Sequence, residues 1–212
     1  AKTGRIIGME SLMHWNCPEL GEISPLQFIP VAEENGLIIE LGDWGLRTAC
    51  RFCKDLHKRG YKDLSVSVNV SVKQLASNNY VETVDAALVE SGLQPDALEL
   101  EITESVLIGS FDAKINKLNA LRAMGIRIAL DDFGTGYSSL TYLQQLPIHT
   151  LKIDQTFIHR MNKEDSTRTI IDAIIALAHR LEIVVVAEGI ETDAQLALLK
   201  KFGCDIIQGY HL

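Results

Sequence analysis

Polar side chains that can bind a metal or move a proton stand at one end of seven short apolar segments. In order they are Glu10, Asn69, Glu101, Asp131, Lys152, Glu188 and Gln208, and further acids follow at Glu104, Asp132, Asp154 and Glu191. Carboxylates that gather in one place repel one another and lose hydration, so they need a compensating charge. Oxygen ligands of this kind suit Mg²⁺, Mn²⁺ or Ca²⁺. More acids than one ion needs indicate a two-metal site that clamps a phosphoryl group.

A simpler interpretation is that these acids are solvated residues that begin helices, where aspartate and glutamate are favoured. That interpretation is adequate for any single acid, but the recurrence at all seven segments favours a shared site. The sharpest local signal is the sequence DDFGTGYSSL at residues 131–140. It matches neither the G-x-G-x-x-G pattern nor the P-loop pattern. Because it begins with paired aspartates, we interpret it as a loop linked to the metal site.

The seven apolar segments are predicted to be β-strands, with amphipathic helices between them. The predicted strands are Arg5–Glu10, Leu64–Asn69, Ala97–Glu101, Ile126–Asp131, Ile148–Ile153, Ile183–Glu188 and Asp205–Gln208. Alternating strands and helices predict a parallel sheet covered by helices, either open or closed into a barrel. Polar residues at every second position of several strands favour the interior of a barrel. Since a (β/α) barrel has about eight strands, we expect one strand to precede residue 1.

The sequence also predicts local contacts that this fold should contain. Capping boxes are predicted at residues 24–27 and 192–195, in helices that end at Gly36 and Gly203. One face of the helix at residues 167–181 carries Ile170, Ile174, Leu177 and Leu181. A further pair, Glu99 and Arg127, should face the barrel interior and form an ion pair, each offsetting the burial of the other.

Composition limits the classes of protein to which this chain can belong. It has 212 residues, 47% of them hydrophobic, and a formal net charge of −8. These values predict one globular domain over residues 1–212, with no apolar run long enough to span a membrane. The acidic balance argues against binding to DNA or RNA polymers. Cys50 and Cys53 form a C-x-x-C pattern inside a predicted helix, without the four ligands of a closed zinc site, so we interpret them as packing thiols.

The sequence resembles the EAL-domain cyclic di-GMP phosphodiesterases of bacteria from Gly4 to Gln208. The motifs that carry the resemblance are ESL at residues 10–12, PLQFIP at 25–30, SVNVS at 67–71, ELEITE at 99–104, DDFGTGYSSL at 131–140, LKID at 151–154, AEGIE at 187–191 and QGY at 208–210. The resemblance implies a TIM-like (β/α)8 barrel, one strand of which is antiparallel. That first strand would lie upstream of residue 1, so we expect a single EAL-type domain trimmed at both termini.

The resemblance also implies a role for each polar residue at the strand ends. The metal ligands would be Glu10, Asn69, Glu101, Asp131, Asp132 and Glu188, and the cofactor Mg²⁺ or Mn²⁺, with Ca²⁺ inhibitory. Lys152 would position the attacking water or stabilise the developing charge, and Glu188 would be the general base. Glu104 would hold the 131–140 loop in its productive form. The reaction would hydrolyse cyclic di-GMP to linear pGpG.

The implied substrate-binding residues include the clearest departure from the family pattern. They are Leu12, His14, Asp154, Glu191 and Gln208. The family usually has arginine where this chain has His14, and histidine lacks the permanently charged guanidinium fork that grips a phosphate. We therefore expect weaker substrate binding than is usual in the family. Ser11 replaces the middle alanine of the family signature, and only a small packing effect is expected.

Two hypotheses about function remain open at this point. The first is a metal-dependent phosphodiesterase, and the second is a catalytically inactive EAL-type receptor that binds cyclic di-GMP without turnover. For either, the resemblance implies a cytoplasmic domain that forms a homodimer and makes no membrane contact itself, within a parent protein that can be anchored at the inner membrane. The other histidines are interpreted as structural or solvated: His57, His149, His159, His179 and His211.

Overall fold

The computed structural model describes residues 4–107, 111–134, 140–162 and 164–209. The chain divides into two compact units. The N-terminal unit comprises residues 6–102 and 106–127, and the C-terminal unit comprises residues 1–5, 103–105 and 128–212.

The N-terminal unit contains a parallel sheet covered by helices. Its strands are β1 (Gly8–Ser11), β2 (Trp15–Cys17), β3 (Gly21–Ile23), β4 (Ser65–Asn69) and β5 (Leu98–Thr103), and its helices are α1 (Pro25–Asn35), α2 (Ile38–Lys58), α3 (Val72–Ala76), α4 (Tyr80–Ser91) and α5 (Phe111–Ala123). β4 pairs in parallel with β1 on one side and with β5 on the other. The register places Asn69 beside Glu101, so the carboxyl ends of neighbouring strands lie level.

The C-terminal unit repeats the alternation of strands and helices. It contains β6 (Arg127–Phe133), α6 (Leu140–Gln145), β7 (Thr150–Ile153), α7 (Gln155–Arg160), α8 (Asp165–Arg180), β8 (Val184–Ala187), α9 (Asp193–Phe202) and β9 (Ile206–Ile207). The strands pair in parallel in the order β6-β7-β8-β9. All seven predicted strands therefore form, and the prediction of an α/β fold with parallel strands is confirmed.

The antiparallel hairpin of β2 and β3 was not predicted from the sequence. It pairs Trp15 with Ile23 and Asn16 with Glu22. A readable signal was present, because Pro18 opens and Gly21 closes a short turn between the two strands. The strands have only three residues each, which is too short for an alternating pattern to stand out.

The packing face of α8 differs by one residue from the predicted face. Its buried residues are Thr167, Ile171, Ile175 and Ala178, whereas Ile170 is 46% exposed. The helix carries apolar residues over a face wider than one stripe, and the sequence alone does not show which line of that face meets the sheet. The predicted apolar face of α8 therefore lies beside the line of residues that is buried in the structure.

Three other local predictions can be compared with the structure directly. The 192–195 capping box is present, with both of its hydrogen bonds. Ser24 occupies the N-cap position of α1, but its side chain makes no capping hydrogen bond. The prediction of a capping box at residues 24–27 is therefore wrong. Arg127 Nε lies 3.5 Å from Glu99 Oε1, and the predicted ion pair is confirmed.

The C-x-x-C cysteines are packing residues of α2. Cys50 and Cys53 are fully buried. Burial raises the pKa of Cys50 to about 12 and raises that of Cys53 as well. Redox-active cysteines need the opposite shift, toward the thiolate.

Among the described helices, none has both the length and the apolar character needed to cross a membrane.

Lys117 stabilises the end of α3 in a way that the sequence does not indicate. Its ammonium donates hydrogen bonds to the carbonyl oxygens of Leu75, Ala76 and Ser77, at 2.8, 3.0 and 2.7 Å. These are carbonyls that a helix terminus leaves without intrahelical partners. A lysine on α5 therefore caps a helix about forty residues away in the chain.

We predict that Lys117→Met lowers the free energy of unfolding by about 2 kcal/mol, because hydrogen bonds to a charged donor are lost. For a chain of this size the melting temperature should fall by about 4–8 °C. Differential scanning calorimetry measures the change. The matched control is Lys62→Met, at an exposed lysine of the same unit, and an equal fall in both variants would contradict the capping role.

Candidate active site

The first three predicted metal ligands meet within the N-terminal unit. Glu10 is on β1, Asn69 ends β4 and Glu101 lies near the end of β5. Asn69 Nδ2 donates a hydrogen bond to Glu10 Oε1 at 2.8 Å, which leaves Oδ1 as the oxygen that could bind a cation. Glu101 is 3% exposed and beside Asn69 in register. The parallel register thus brings Asn69 close to Glu10, 59 positions earlier in the chain, and to Glu101, 32 positions later.

A lysine held between two carboxylates occupies the strand ends of the C-terminal unit. Lys152 Nζ lies 2.7 Å from Glu188 Oε1 and 3.3 Å from Asp131 Oδ2. The lysine side chain is 3% exposed, so little solvent screens these contacts. Asp131 lies on β6, Lys152 lies on β7, and Glu188 immediately follows β8. The geometry allows a fixed cation to orient a carboxylate that can accept a proton.

A β-bulge sets the positions of the paired aspartates. Leu130 is in register with Leu151 and Phe133 with Ile153, so Asp131 and Asp132 together oppose the single residue Lys152. Asp132 has a φ of 55°, and its N–H donates to Asp131 Oδ1 at 2.8 Å. In a regular strand, adjacent side chains would point to opposite faces. Bulges redirect side chains in this way beside active sites.

Glu104 contacts the start of the 131–140 loop. Its Oε1 accepts a hydrogen bond from the Gly134 N–H at 2.8 Å, as the predicted loop-holding role requires. Its Oε2 is buried and has no hydrogen-bond partner in the described part of the chain. Residues 135–139 of this loop lie outside the described residues. Glu104 therefore has one carboxylate oxygen bound to the loop and a second that is buried and able to accept.

His14 and Leu12, predicted to bind substrate, lie at exposed positions of the N-terminal unit. Leu12 is 61% exposed. His14 Nδ1 lies 3.3 Å from Glu22 Oε1, across the β2–β3 hairpin, and both side chains are largely exposed. Sequence reasoning missed Glu22, because its proximity to His14 depends on the unpredicted hairpin.

The other predicted substrate-binding residues cluster in the C-terminal unit. Asp154 is buried and caps α7, accepting hydrogen bonds from the N–H and the hydroxyl of Thr156. Glu191 is exposed, and His159 Nε2 lies 3.6 Å from its Oε1. The main-chain N–H of Gln208 donates to the Ala187 carbonyl. His159 was interpreted from the sequence as structural or solvated, and no local pattern indicates its contact with Glu191.

The oxygen donors of these side chains are the kind that a hard divalent cation prefers. Across the described residues, no three histidine, cysteine, aspartate or glutamate side chains converge closely enough to hold a metal. The N-terminal group offers two carboxylates and a carboxamide, all with oxygen donors. Asp131 is 8% exposed, and the Lys152 ammonium, 3.3 Å from its Oδ2, supplies positive charge that compensates for this burial.

The comparisons with known proteins agree with the motif resemblance. The family model described as EAL domain matches residues 1–212. The bifunctional diguanylate cyclase/cyclic di-GMP phosphodiesterase MucR of Pseudomonas aeruginosa is 43% identical over 212 residues, which is 100% of this chain and 31% of MucR. The cyclic di-GMP phosphodiesterase NbdA of the same organism is 44% identical over 207 residues, 98% of this chain and 26% of NbdA. The chain thus spans about a third or less of these relatives.

A solved structure shows the same fold. The PaMucR phosphodiesterase in its c-di-GMP complex has 44% sequence identity and a TM-score of 0.94, over 99% of this chain and 85% of that one. This agreement confirms the predicted fold class, the TIM-like barrel of EAL domains. With the whole-chain family match and relatives above 40% identity, the conclusion is that the chain belongs to the EAL domain family.

Proposed function

We propose that this chain is a metal-dependent phosphodiesterase that hydrolyses cyclic di-GMP to linear pGpG. The observation that carries the proposal is the Asp131–Lys152–Glu188 arrangement, a buried lysine held between two carboxylates at adjacent strand ends. Relatives named as cyclic di-GMP phosphodiesterases match the chain over nearly its whole length.

The proposed metal ligands are side chains with oxygen donors. They are Glu10, Asn69, Glu101, Asp131, Asp132 and Glu188. Mg²⁺ or Mn²⁺, when bound, would supply Lewis-acid activation of water and of the phosphate. The chain itself supplies the rest: Lys152 holds Glu188 in place, and Glu188 accepts the proton released as water attacks the phosphorus. The bond between phosphorus and the leaving ribose oxygen breaks in the same displacement, and that oxygen takes up a proton from solvent to become the free hydroxyl of pGpG.

The test is a turnover assay with cyclic di-GMP, with pGpG detected by chromatography. We expect pGpG to form with Mg²⁺ or Mn²⁺ and to disappear on addition of EDTA. Ca²⁺ should permit binding but support little hydrolysis, because it accepts looser and higher coordination than Mg²⁺. Turnover that persists after removal of divalent ions would refute metal dependence.

The same assay separates the receptor hypothesis, which one residue favours. His14 stands where the family usually has an arginine that grips a phosphate, and histidine lacks the permanent charge of that guanidinium. Calorimetric binding of cyclic di-GMP without any pGpG in Mg²⁺ or Mn²⁺ would select the receptor and reject the phosphodiesterase.

We predict that His14→Arg lowers KM for cyclic di-GMP about fivefold, because a guanidinium makes charge-assisted bonds to phosphate at any physiological pH. Glu22 would compete for the new arginine, since its carboxylate already lies 3.3 Å from the residue at this position. The double variant with Glu22→Gln should therefore lower KM further. Steady-state kinetics measure both changes, and an unchanged KM in both variants rules out a substrate role for position 14.

A further inference from the structure

A buried glutamine, Gln195, joins the loop that carries Glu191 to the helix that follows Asp154. Its side chain is 3% exposed and makes three hydrogen bonds. Oε1 accepts from the N–H groups of Glu191 and Thr192, at 2.9 and 3.0 Å, and Nε2 donates to the carbonyl of Ile158 on α7, at 3.1 Å. The capping box of α9 needs only the hydrogen bond from the Thr192 N–H. The hydrogen bonds to Glu191 and Ile158 are not part of a capping box.

The loop at residues 188–192 lies tightly against α7. Gly189 has a φ of 71°, and a Cβ built there would lie 2.6 Å from Gln155 Cβ, so no larger residue fits at this approach. On the same helix, His159 Nε2 lies 3.6 Å from the Glu191 carboxylate. The loop therefore contacts α7 directly at Gly189 and Glu191, and the buried side chain of Gln195, on α9, bridges the loop and α7 through hydrogen bonds.

The opposite side of the loop is held by the segment after β9. Ile190 N–H donates to the carbonyl of Gln208 at 3.2 Å. A Cβ built on Gly209 would lie 2.4 Å from the backbone nitrogen and oxygen of Ile190. The loop therefore contacts both α7 and the segment after β9, and the bond from Gln195 to Ile158 links its helix, α9, to α7.

We propose that Gln195 is a positioning residue for substrate binding: it holds Glu191 at a set position relative to Asp154, the N-cap of α7. This inference rests on the proposed function, in which Glu191 and Asp154 contact cyclic di-GMP. Displacing a binding group by about 1 Å can weaken productive binding up to about a hundredfold. A side-chain amide is required at this position because its oxygen must accept two hydrogen bonds while its nitrogen donates one.

The discriminating variant is Gln195→Glu. A glutamate keeps both acceptor bonds and still completes the capping box, but it cannot donate to the Ile158 carbonyl. We expect KM for cyclic di-GMP to rise about tenfold, with kcat changed less than about threefold. Glu188, at the start of the loop, keeps its own contacts with Lys152 at 2.7 Å and with the Ile153 carbonyl at 3.2 Å. Gln195→Met, which loses all three bonds, should raise KM further. A wild-type KM in Gln195→Glu would overturn the inference and leave Gln195 as a helix cap only.

The matched control is Gln74→Glu. Gln74 occupies the same position of a capping box on α3, is 5% exposed, and accepts from the Ser71 N–H at 3.1 Å. Its KM should equal that of the wild type. A KM increase in both variants would show a general effect of burying a carboxylate and would also overturn the inference.

A second measurement separates this inference from the proposed function. Amide hydrogen exchange at Glu191 and Thr192 should accelerate about tenfold in Gln195→Met, whether or not cyclic di-GMP is hydrolysed. If the wild type neither binds nor hydrolyses cyclic di-GMP, the proposed function fails while exchange still reports on the loop. Unchanged exchange at both amides would show that Gln195 does not hold the loop.

Discussion

Turnover of cyclic di-GMP should fall about a thousandfold in Lys152→Met, because a preorganised charge at the reacting centre is lost. The ammonium lies 2.7 Å from Glu188 and 3.3 Å from Asp131. Without it, two largely buried carboxylates lose the ammonium that both of them contact. Breaking such an arrangement should also lower the free energy of unfolding by about 3 kcal/mol. Steady-state kinetics and denaturant unfolding measure the two effects.

A second buried lysine provides the control for this variant. Lys114 on α5 is 7% exposed, and burial lowers its pKa. Lys114→Met removes a buried ammonium from the N-terminal unit, away from Glu188 and Asp131 in the chain, so kcat and KM should stay at wild-type values. If Lys152→Met retained more than about a tenth of wild-type turnover, the role assigned to the lysine would have to be abandoned.

Glu104→Ala should lower kcat about a hundredfold, the upper range for residues that orient a catalytic group indirectly. The substitution removes the acceptor of the Gly134 N–H, which lies just after the bulged aspartates. Glu104→Gln keeps an acceptor but replaces the buried Oε2 by a donor, so its kcat should lie between those of Glu104→Ala and the wild type. Single-turnover kinetics can assign the change to the chemical step.

The control for the glutamate variants is Glu90→Ala. Glu90 forms an ion pair with Arg47 on the surface of the N-terminal unit. Surface ion pairs contribute little, and kcat should be unaffected by this change. Equal losses in Glu90→Ala and Glu104→Ala would indicate a general stability effect and would remove the argument for loop positioning.

The polar residues at the strand ends could be predicted because they depend on a local pattern. Each apolar segment became a strand, and within each unit parallel pairing brings the carboxyl ends of paired strands to one edge. That rule alone predicts Asn69 beside Glu101 and Lys152 near Glu188. The Thr192–Gln195 capping box was predictable for the same reason, because both residues lie within one helical turn.

Only the tertiary structure decided the contacts between residues that are far apart in the chain, because no local spacing in the sequence encodes them. The bulge that sets two aspartates opposite Lys152 is a matter of register between two strands. The bond from Gln195 to Ile158 joins residues 37 apart, and the cap from Lys117 on Ser77 joins residues 40 apart. Sequence periodicity reports which face of an element is apolar, and so it determined the elements and their order. Which side chain reaches which backbone group depends on how those elements pack, since a shift of a single residue or about 1 Å breaks a hydrogen bond.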